Sequence, residues 1–491
     1  MPPFVLICHE LDHLKPTITP SSRPLPCSAG ILILLPPMIV KEPVSTPAKV
    51  ARWWPLAVLV AINVLNFYDR QVAGAVVEPV RKEFGLSDTQ IGWLNTAFTL
   101  LYGVVSLPLG LLADRTSRKK LLAIGVTVWA ALTASARWIN SYSFLVFTRL
   151  GVGVGEATAA PTATSWIGDL YPAERRSKPL ALFMLGVPVG GALSFFFTGP
   201  IAQRYGWRAG MVVAALPALL LVPLLLMLHE PERGAAESRP VARDAGSIWQ
   251  VLRIPTFWWI ALSGALVNFN LYAIGVFFPA FFQRIHHLNV AQAGIKTGII
   301  YAIGGICGGS LSGWAGDRIV RRSRSGRMKI AAIATLVSVP LSYVGIHQGY
   351  GALALAMPLL TAAYGLLNMY YGLVYAAIQD IVAPALRGTS MAIYFLVMYL
   401  LGASWGSLVI GGLSDKLAHR AALLAGVVIP SAEAFKKLPV YEPFKATGLQ
   451  QALLALPALS VLLSLVLWVG SKTIVRDIAR RNAAALPRIR P

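Results

Sequence analysis

Four ionisable residues stand inside stretches of the sequence that are otherwise apolar. Asp69 and Arg70 follow Asn66 in one stretch, and Arg149 and Glu156 lie seven residues apart in another. A spacing of seven is two helical turns, so Arg149 and Glu156 share one face of a helix. At a rise of about 1.5 Å per residue, the depth of Asp69 falls between those two levels. The sequence therefore predicts one network that joins the four side chains.

The chemistry of such a network is proton transfer. An ionisable group in an apolar span costs several kcal/mol, so its presence indicates a function. A buried carboxylate can bind a proton and release it as its surroundings open and close, as in the proton relays of transporters. Glu156 lies deeper and has fewer evident partners, so we expect it to carry the proton, with Asp69 coupled to it. The alternative is a fixed ion-pair network that only pins two helices together.

Polar residues in three of the apolar stretches could line a substrate cavity. They are amides and phenols: Asn66, Tyr68, Asn268, Asn270, Tyr272, Asn368, Tyr371 and Tyr375. Each of them could equally well form a structural hydrogen bond with a neighbouring helix. The six in the second half suggest that this half supplies amides and phenols, while the first half supplies the charges. We find no nucleotide-binding loop and no set of nucleophile, base and metal ligands, so we expect no catalytic residue, metal, cofactor or ATP-driven pump.

One short segment occurs twice. The pattern Gly-x-x-x-Asp-Arg closes the second and the eighth apolar stretch, and basic residues follow each copy. Its residues are Gly110, Asp114 and Arg115, with Arg118 just beyond, and Gly313, Asp317 and Arg318. The same segment at equivalent positions in two halves indicates an internal repeat. We expect these segments to make contacts between the halves that break and re-form; the alternative is ordinary polar loops at a membrane face.

The elements that position these residues are membrane-spanning helices. The chain is 56% hydrophobic and only 13% charged, with a mean hydropathy of +0.63, so lipid must serve as its outer solvent. The first half of the chain has six apolar stretches: 55–77, 90–113, 121–139, 144–167, 179–202 and 208–228. The second half has six more: 257–282, 293–315, 330–346, 352–378, 389–413 and 451–471. We therefore expect an all-α membrane protein of twelve transmembrane helices in two six-helix bundles related by pseudo-two-fold symmetry.

The domain plan follows from these stretches. We predict a disordered extension at 1–50, which could be an over-long gene start, a first bundle at 51–228, a linker at 229–255, a second bundle at 256–472 and a basic tail at 473–491. The net charge of +22 comes from Lys and Arg clustered at particular helix ends, which favours cytoplasmic termini and contact with anionic lipid over nucleic-acid binding. The predicted location is the bacterial inner membrane.

The two repeated segments, the six-plus-six layout and the stretch from Arg149 to Gly153 resemble the major facilitator superfamily. Finer features resemble its bacterial spinster-like branch: Asn66-Phe-Tyr-Asp-Arg-Gln71, Leu86-Ser-Asp-Thr-Gln90, Arg149-Leu-Gly-Val-Gly-Val-Gly-Glu-Ala157, Gly206-Trp-Arg208, Glu230-Pro-Glu-Arg-Gly234 and Leu386-Arg-Gly-Thr-Ser390. The sequence departs from the general superfamily segment at one place, where Ser117 replaces the usual glycine.

The resemblance implies a mechanism and a range of substrates. It implies alternating access around a cavity lined by spans 1, 4, 7 and 10, proton coupling through Asp69 and Glu156, and a latch at Asp114, Arg115 and Arg118. Animal relatives move lysophospholipids or sphingoid phosphates, so we expect a monomeric, proton-coupled transporter of a small organic anion or amphiphile rather than an enzyme. Organic-anion symporters of the superfamily carry a similar phrase, Tyr-x-Asp-Arg, where this sequence has Phe67-Tyr-Asp-Arg70, so a sugar acid is an alternative solute. A non-transporting sensor is the other alternative.

Overall fold

The computed structural model describes residues 53–172, 175–236, 248–320, 322–383 and 386–485, and this part of the chain is helical with no strand. The helices of the first half are α1 Trp53–Ala75, α2 Val77–Phe84, α3 Asp88–Arg115, α4 Arg118–Ala134, α5 Tyr142–Glu156, α6 Ala159–Leu170, α7 Ser177–Met184, α8 Gly186–Tyr205 and α9 Trp207–Met227. Those of the second half are α10 Ile248–Leu252, α11 Pro255–Arg284, α12 Val290–Ile299, α13 Gly305–Val320, α14 Gly326–His347, α15 Leu353–Ile381, α16 Arg387–Met398, α17 Ser404–Leu424, α18 Ala432–Lys437, α19 Glu442–Leu453 and α20 Ala455–Ala485. The predicted extension 1–50 lies outside the described residues.

The helices form twelve spans, and the predicted fold class is confirmed. Ten helical segments of the described residues are long and apolar enough to cross a membrane. Helix α1 and the pair α5–α6 are not among those ten, although each contributes one span. They carry the four buried charges: Asp69 and Arg70 lie in α1, and Arg149 and Glu156 lie in α5. Helices α5 and α6, of 15 and 12 residues, are each too short to cross a membrane alone.

Local sequence sets several helix ends. Ser87 accepts a hydrogen bond from the Gln90 amide while the Gln90 side chain accepts one from the Ser87 amide, so a capping box starts α3. Ser117 caps α4 in a similar way by accepting from the Lys120 amide. Gly85 ends α2 with a φ of 59°, a left-handed conformation that favours glycine. These caps place the acidic start of α3 and the basic start of α4 at opposite membrane faces.

Two spans contain a π-helical turn. Residues Ile300–Gly304 interrupt the eighth span and Tyr399–Ala403 interrupt the eleventh. Each turn places a tyrosine against the other bundle: the Tyr301 ring centroid lies 5.0 Å from that of Phe195, and that of Tyr399 lies 4.9 Å from that of Tyr102. Such turns widen a helix locally and often occur at functional sites.

The two bundles touch most closely at one end of the molecule. A Cβ on Gly74 of α1 would collide with the carbonyl of Gly275 on α11, and one on Gly92 of α3 would lie 2.5 Å from the Ser407 carbonyl on α17. We call this the ion-pair end, after Glu78, Asp88 and Arg284, described below. The opposite end carries residues 110–118 and 313–318 and is called the motif end.

At the motif end the repeated glycines lie clear of the opposite bundle. A Cβ on Gly110 would meet only Pro161 of its own bundle among the described atoms, and one on Gly313 would meet no described atom within 4 Å. The neighbouring Trp314 is 66% exposed. The structure therefore has its bundles packed at the ion-pair end and apart at the motif end.

The last helix is longer than the sequence suggests. The predicted tail begins at 473, but α20 continues without a break to Ala485. Asp477, only 4% exposed, accepts hydrogen bonds from the amide and the hydroxyl of Thr256 at the start of α11, which is why the helix stays ordered there. The domain limits themselves stay predictions.

Candidate functional site

A buried ion pair lies at the centre of the site. Arg70 of α1 reaches Glu156 at the end of α5, with Nη2 to Oε2 at 3.0 Å and Nε to Oε2 at 3.1 Å. The Glu156 side chain is fully buried, and that of Arg70 is 2% exposed. Both arginine nitrogens share one carboxylate oxygen, so Oε1 of Glu156 has no hydrogen-bond partner. One of the two carboxylate oxygens is therefore buried without a hydrogen bond or ion pair to offset its loss of hydration.

Aromatic rings surround the Arg70 guanidinium. Its Cζ lies 4.7, 5.4 and 4.5 Å from the ring centroids of Phe67, Phe98 and Tyr102. The hydroxyls of Tyr272 and Tyr399, both in the second bundle, lie 3.4 and 3.1 Å from Nη1. Rings stabilise a cation through their negative faces, so the charge is held without a second carboxylate.

The other two predicted charges meet through a hydroxyl. Thr133 of α4 donates a hydrogen bond of 2.9 Å to Asp69 Oδ2 and accepts one of 3.2 Å from Arg149 Nη2. Asp69 Oδ1 and Arg149 Nε are buried with no partner. Thr133 is fully buried, and the sequence analysis did not single it out.

The structure brings the four predicted charges into one region and differs from the sequence reasoning in one respect. Glu156 was expected to have fewer partners than Asp69, yet Glu156 forms the direct ion pair with Arg70, whereas Asp69 accepts a hydrogen bond from the Thr133 hydroxyl. Arg70 is the neighbour of Asp69 in sequence but points across to α5, because adjacent residues on a helix face directions about 100° apart. Roles in proton transfer remain predictions.

The amides and phenols of the second bundle form a separate wall. Tyr371 donates a hydrogen bond of 2.9 Å to Asn268, and the Tyr371 and Tyr375 rings lie 5.4 Å apart in a T-shaped pair. Both tyrosines are partly exposed, on the motif side of Tyr272. Tyr272, which contacts Arg70, links this wall to the buried ion pair.

Other predicted cavity residues form hydrogen bonds with neighbouring helices or within their own helix. Asn270 donates to Ser460 of α20, and Tyr68 accepts from Thr198 of α8, so both face the interior of their own bundle. Asn368 donates to the Tyr364 carbonyl one turn earlier. Asn66 makes a long 3.5 Å contact with Arg70 and leaves its amide nitrogen without a partner.

A cavity lies on the ion-pair side of the charges. We call it the Arg149 chamber. Its polar lining residues are Arg70, Gln71, Asn95, Arg149 and Tyr272, and the rest of its wall is mostly aliphatic. Of the predicted cavity residues, Tyr272 lines it.

An ion-pair network that the sequence analysis did not find closes the ion-pair end. Arg284 of α11 holds Glu78 with bonds of 2.8 and 2.5 Å and Asp88 with bonds of 2.8 and 2.7 Å. Asp415 of α17 accepts from the backbone amides of Asp88 and Thr89 at 3.0 and 2.9 Å. Burial alone would raise the pKa of the Glu78 carboxyl, but Arg284 and Arg81 hold that pKa below its ordinary value.

Glu78, Asp88 and Arg284 lie just outside the predicted stretches 55–77, 90–113 and 257–282, so a search for charges inside apolar stretches does not reach them. Its partners are about 200 residues apart in the chain, so no short motif marks them. The available signal was the pair Glu78 and Arg81, three residues apart on a short helix before a capped start.

At the motif end, Arg118 is buried in its own bundle. It forms ion pairs with Asp169 at the end of α6 and with Glu230 after α9, where Nε lies 3.1 Å from Oε1. Ser117, which stands where glycine is usual, donates a 2.7 Å hydrogen bond to Glu230. Burial would raise the pKa of Glu230, but hydrogen bonds from Ser117 and from the Arg118 and Lys119 amides lower it to about 2.

Three further charged residues of the repeated segments are exposed. They are Arg115, Asp317 and Arg318, and the Asp114 side chain lies outside what the structure describes. The second bundle has a counterpart of the Arg118 contact: Arg327 at the start of α14 pairs with Asp380 at the end of α15 at 2.5 Å. The repeat therefore extends beyond the segment that the sequence revealed.

Comparisons with known proteins agree with this architecture. A family model described as the Major Facilitator Superfamily matches residues 59–407. An MFS-type efflux pump of Mycolicibacterium smegmatis (strain ATCC 700084 / mc(2)155) is 30% identical over 371 residues, which cover 74% of this chain and 85% of that protein. Human protein spinster homolog 1 is 28% identical over 388 residues, 74% of this chain and 73% of that one.

The fold also has solved counterparts. The crystal structure of a bacterial homologue of the human lysosomal transporter Spinster, in an inward-facing and unoccupied conformation, superposes with a TM-score of 0.79 at 26% identity. The match covers 88% of this chain and 99% of that one. The predicted resemblance to the spinster-like branch is confirmed.

Proposed function

This chain belongs to the major facilitator superfamily, and we propose that it is a proton-coupled secondary transporter that works by alternating access. Its solute is a small organic anion or a lysolipid-like amphiphile. It acts in the bacterial inner membrane as a monomer, with the motif end and both termini in the cytoplasm and with lipids around its apolar helices. Its partners are the solute and protons.

One observation carries the proton coupling: Glu156 is fully buried with one oxygen bonded to Arg70 and the other without a partner. A proton on Oε1 would neutralise the carboxylate and weaken its hold on Arg70. Arg70 also contacts Tyr272 and Tyr399 of the second bundle, so a change in that ion pair reaches the contact between bundles. Protonation and conformation are thereby linked through one guanidinium.

The different packing of the two ends supports alternating access. The Arg284 network and the Gly74–Gly275 contact hold the ion-pair end together, while the glycines of the motif end lie clear of the opposite bundle. This corresponds to an inward-open state when the motif end is cytoplasmic. The reverse state would break the Arg284 pairs and bring the Gly110 and Gly313 segments against the opposite bundle.

The proposed solute class rests on the charged residues that line the Arg149 chamber. Arg70 and Arg149 line the Arg149 chamber, and mostly aliphatic residues complete its wall, which suits an anionic head joined to an apolar body. The similar mycobacterial protein is described as an efflux pump, so export is the direction to test first.

The test uses purified protein in liposomes with an imposed pH gradient. Proton flux is followed with a trapped dye while lysolipids, sugar acids and aromatic acids are added in turn. We expect one class to drive flux, and we expect Glu156→Gln and Asp69→Asn to abolish its pH dependence. Glu83→Gln removes a carboxylate that pairs with Arg208 at the edge of the bundle and should leave flux unchanged. Full pH dependence in both core variants would refute proton coupling.

The same assay separates the alternatives. A sensor would bind a solute with no flux across the whole panel. A sugar-acid or other organic-anion symporter would respond to sugar acids and not to lysolipids. The similarity to spinster proteins over about three quarters of the chain favours a lysolipid as the solute.

A further inference from the structure

The hydroxyl of Thr133 in α4 bonds across helices rather than within its own. It donates to Asp69 Oδ2 of α1 at 2.9 Å and accepts from Arg149 Nη2 of α5 at 3.2 Å. A threonine in a helix commonly satisfies its hydroxyl locally, by donating to a carbonyl one turn earlier. Several buried threonines of this chain do so: Thr99, Thr148, Thr297 and Thr335. Thr133 therefore joins three helices through one oxygen.

The sequence of α4 explains how the hydroxyl reaches this position. Leu122, Val126, Trp129 and Thr133 follow one another at intervals of three or four residues, so they lie on one buried face of the helix. The first three are apolar, and a fully buried hydroxyl at the end of that face is costly unless it is hydrogen-bonded. Asp69 and Arg149 are the partners that the structure provides.

The direction of these two hydrogen bonds is fixed by chemistry. A guanidinium can only donate, so the Thr133 oxygen accepts from Arg149 and its single hydrogen goes to Asp69. The hydrogens thus run one way, from the cation through the hydroxyl to the carboxylate, and a charge at each end strengthens them. Asp69 Oδ2 is thereby filled by an incoming hydrogen, whereas Oδ1 is buried without a partner.

This arrangement makes the two oxygens of Asp69 unequal toward a proton. A proton on Oδ2 would meet the Thr133 hydrogen, and the hydroxyl would have to turn away while Arg149 still donated to it. A proton on Oδ1 meets no donor and leaves the chain of hydrogen bonds intact. The ionisable groups around Asp69 are Tyr68 and Arg70 of the same helix and Arg149 and Glu156 of α5. Of these, Glu156 also has one carboxylate oxygen without a partner.

From this geometry we propose that Thr133 is a positioning residue of proton coupling, whose hydroxyl reserves Asp69 Oδ2 as an acceptor and leaves Oδ1 as the oxygen that takes up the proton. The inference rests on the proposed function and deepens it. The incoming proton adds to Oδ1, Thr133 keeps its own hydrogen throughout, and Oδ2 becomes the carbonyl oxygen of the neutral acid. Arg149 acts through Thr133 by holding the hydroxyl in the orientation that donates to Asp69.

The experiment combines two readouts of the full chain across a pH series. Proton-coupled flux in liposomes gives the pH at which transport is half-maximal. Infrared difference spectra of the protein in maltoside micelles give the C=O stretch of the protonated Asp69 carboxyl, which is the band that Asp69→Asn removes. The second readout needs no transport. It also reports the surroundings of the carbonyl oxygen, because a C=O group that accepts a hydrogen bond absorbs at lower frequency.

Thr133→Val keeps the shape of the side chain and removes the hydroxyl. The lost hydrogen bond stabilised the charged form of Asp69, so the midpoints of flux and of the infrared band should both move upward by about one pH unit or more. The band itself should move to higher frequency, because Oδ2 loses its donor. Thr133→Ser retains a hydroxyl and should restore the midpoint and the frequency. Thr133→Ala takes the place of the valine variant if that variant does not fold.

The matched control is Thr148→Val. Thr148 is as buried as Thr133 and precedes Arg149 in the chain, but its hydroxyl donates to the Leu145 carbonyl of its own helix. We expect its midpoints and its band frequency to equal those of the wild type. Equal shifts in Thr148→Val and Thr133→Val would overturn the proposal, because they would show a general effect of removing a buried hydroxyl.

Two further results would overturn the proposal. One is an unchanged midpoint in Thr133→Val. The other is a moved midpoint with an unchanged band frequency, which would place the proton on Oδ2. The two readouts also distinguish this failure from that of the proposed function. Proton-coupled flux with no effect of Thr133→Val refutes the role of Thr133 and leaves transport standing, whereas the expected infrared shifts without any flux support that role and refute transport.

Discussion

Arg70 and Glu156 join the first and fourth spans through a fully buried ion pair in which two guanidinium nitrogens share one carboxylate oxygen at 3.0 and 3.1 Å. The pair lies where aromatic residues of both bundles meet, because Tyr102 of the first bundle and Tyr399 of the second both contact Arg70. A change at this pair therefore alters contacts in both halves of the molecule.

The first prediction concerns the coupling between these two residues. Removing one partner of a buried pair leaves an uncompensated charge and costs about 3–5 kcal/mol, whereas replacing both with apolar groups costs much less. Arg70→Met and Glu156→Leu should each destabilise the protein by that amount, and the double variant should recover most of the loss. The free energies of unfolding by sodium dodecyl sulfate in mixed micelles, measured for the wild type, both single variants and the double variant, complete the double-mutant cycle. Additive losses would show that the pair is not coupled.

The second prediction concerns Arg284. Arg284→Gln leaves Asp88 buried without an ion pair and leaves Glu78 with Arg81 alone, so the closed ion-pair end should lose about 3–5 kcal/mol relative to the open one. A cysteine at Val276, in the chamber behind the network, should then react faster with a thiol reagent added from the ion-pair side. The measurement is the alkylation rate in a background where Cys8, Cys27 and Cys307 are serine.

The matched control for Arg284 is Arg208. It pairs with Glu83 in the same bundle, and both side chains are partly exposed. Surface pairs of this kind contribute about 0–1 kcal/mol, so Arg208→Gln should leave the alkylation rate at position 276 close to that of the parent. Equal acceleration by both variants would mean that general loosening, not the network, controls access.

The third prediction concerns Tyr399. Its hydroxyl contacts Arg70 across the bundle interface at 3.1 Å, and a hydrogen bond to a charged group contributes about 1.5–3 kcal/mol. Tyr399→Phe removes that bond and should shift the equilibrium away from the state seen here, which raises alkylation at position 276 about tenfold or more. Tyr394→Phe is the control, because the Tyr394 hydroxyl bonds Tyr370 within one bundle. No difference between the two variants would contradict the proposed role.

The fourth prediction uses the pKa of Glu230, which hydrogen bonds lower from 4.5 to about 2. A group whose pKa is lower in the folded state contributes stability above its unfolded pKa and loses that contribution as pH falls toward the folded value. The melting temperature of the wild type should therefore exceed that of Glu230→Gln by a constant amount above about pH 5.5, and the difference should shrink between pH 4.5 and pH 2. Melting curves of both proteins across pH 3 to 7 test this. A difference that grows on acidification would contradict it.

Several features follow from the sequence alone. Apolar runs of membrane length predict the spans, and a charge in such a run is costly enough to mark Asp69, Arg70, Arg149 and Glu156 as a group. The repeated Gly-x-x-x-Asp-Arg segment predicts two related halves. Helical periodicity places Arg149 and Glu156 on one face, and the structure indeed brings both to the region of α1.

The choice of partner within that group needed the tertiary structure. The sequence does not say that Arg70 pairs with Glu156 while Thr133 joins Asp69 to Arg149, because each pairing depends on how α1, α4 and α5 are rotated against one another. Lipid is as apolar as the helix surfaces, so hydropathy does not encode that rotation; small residues and packing do. The Arg284 network shows the same limit, since Glu78 and Arg284 are 206 residues apart and meet only when the two bundles close.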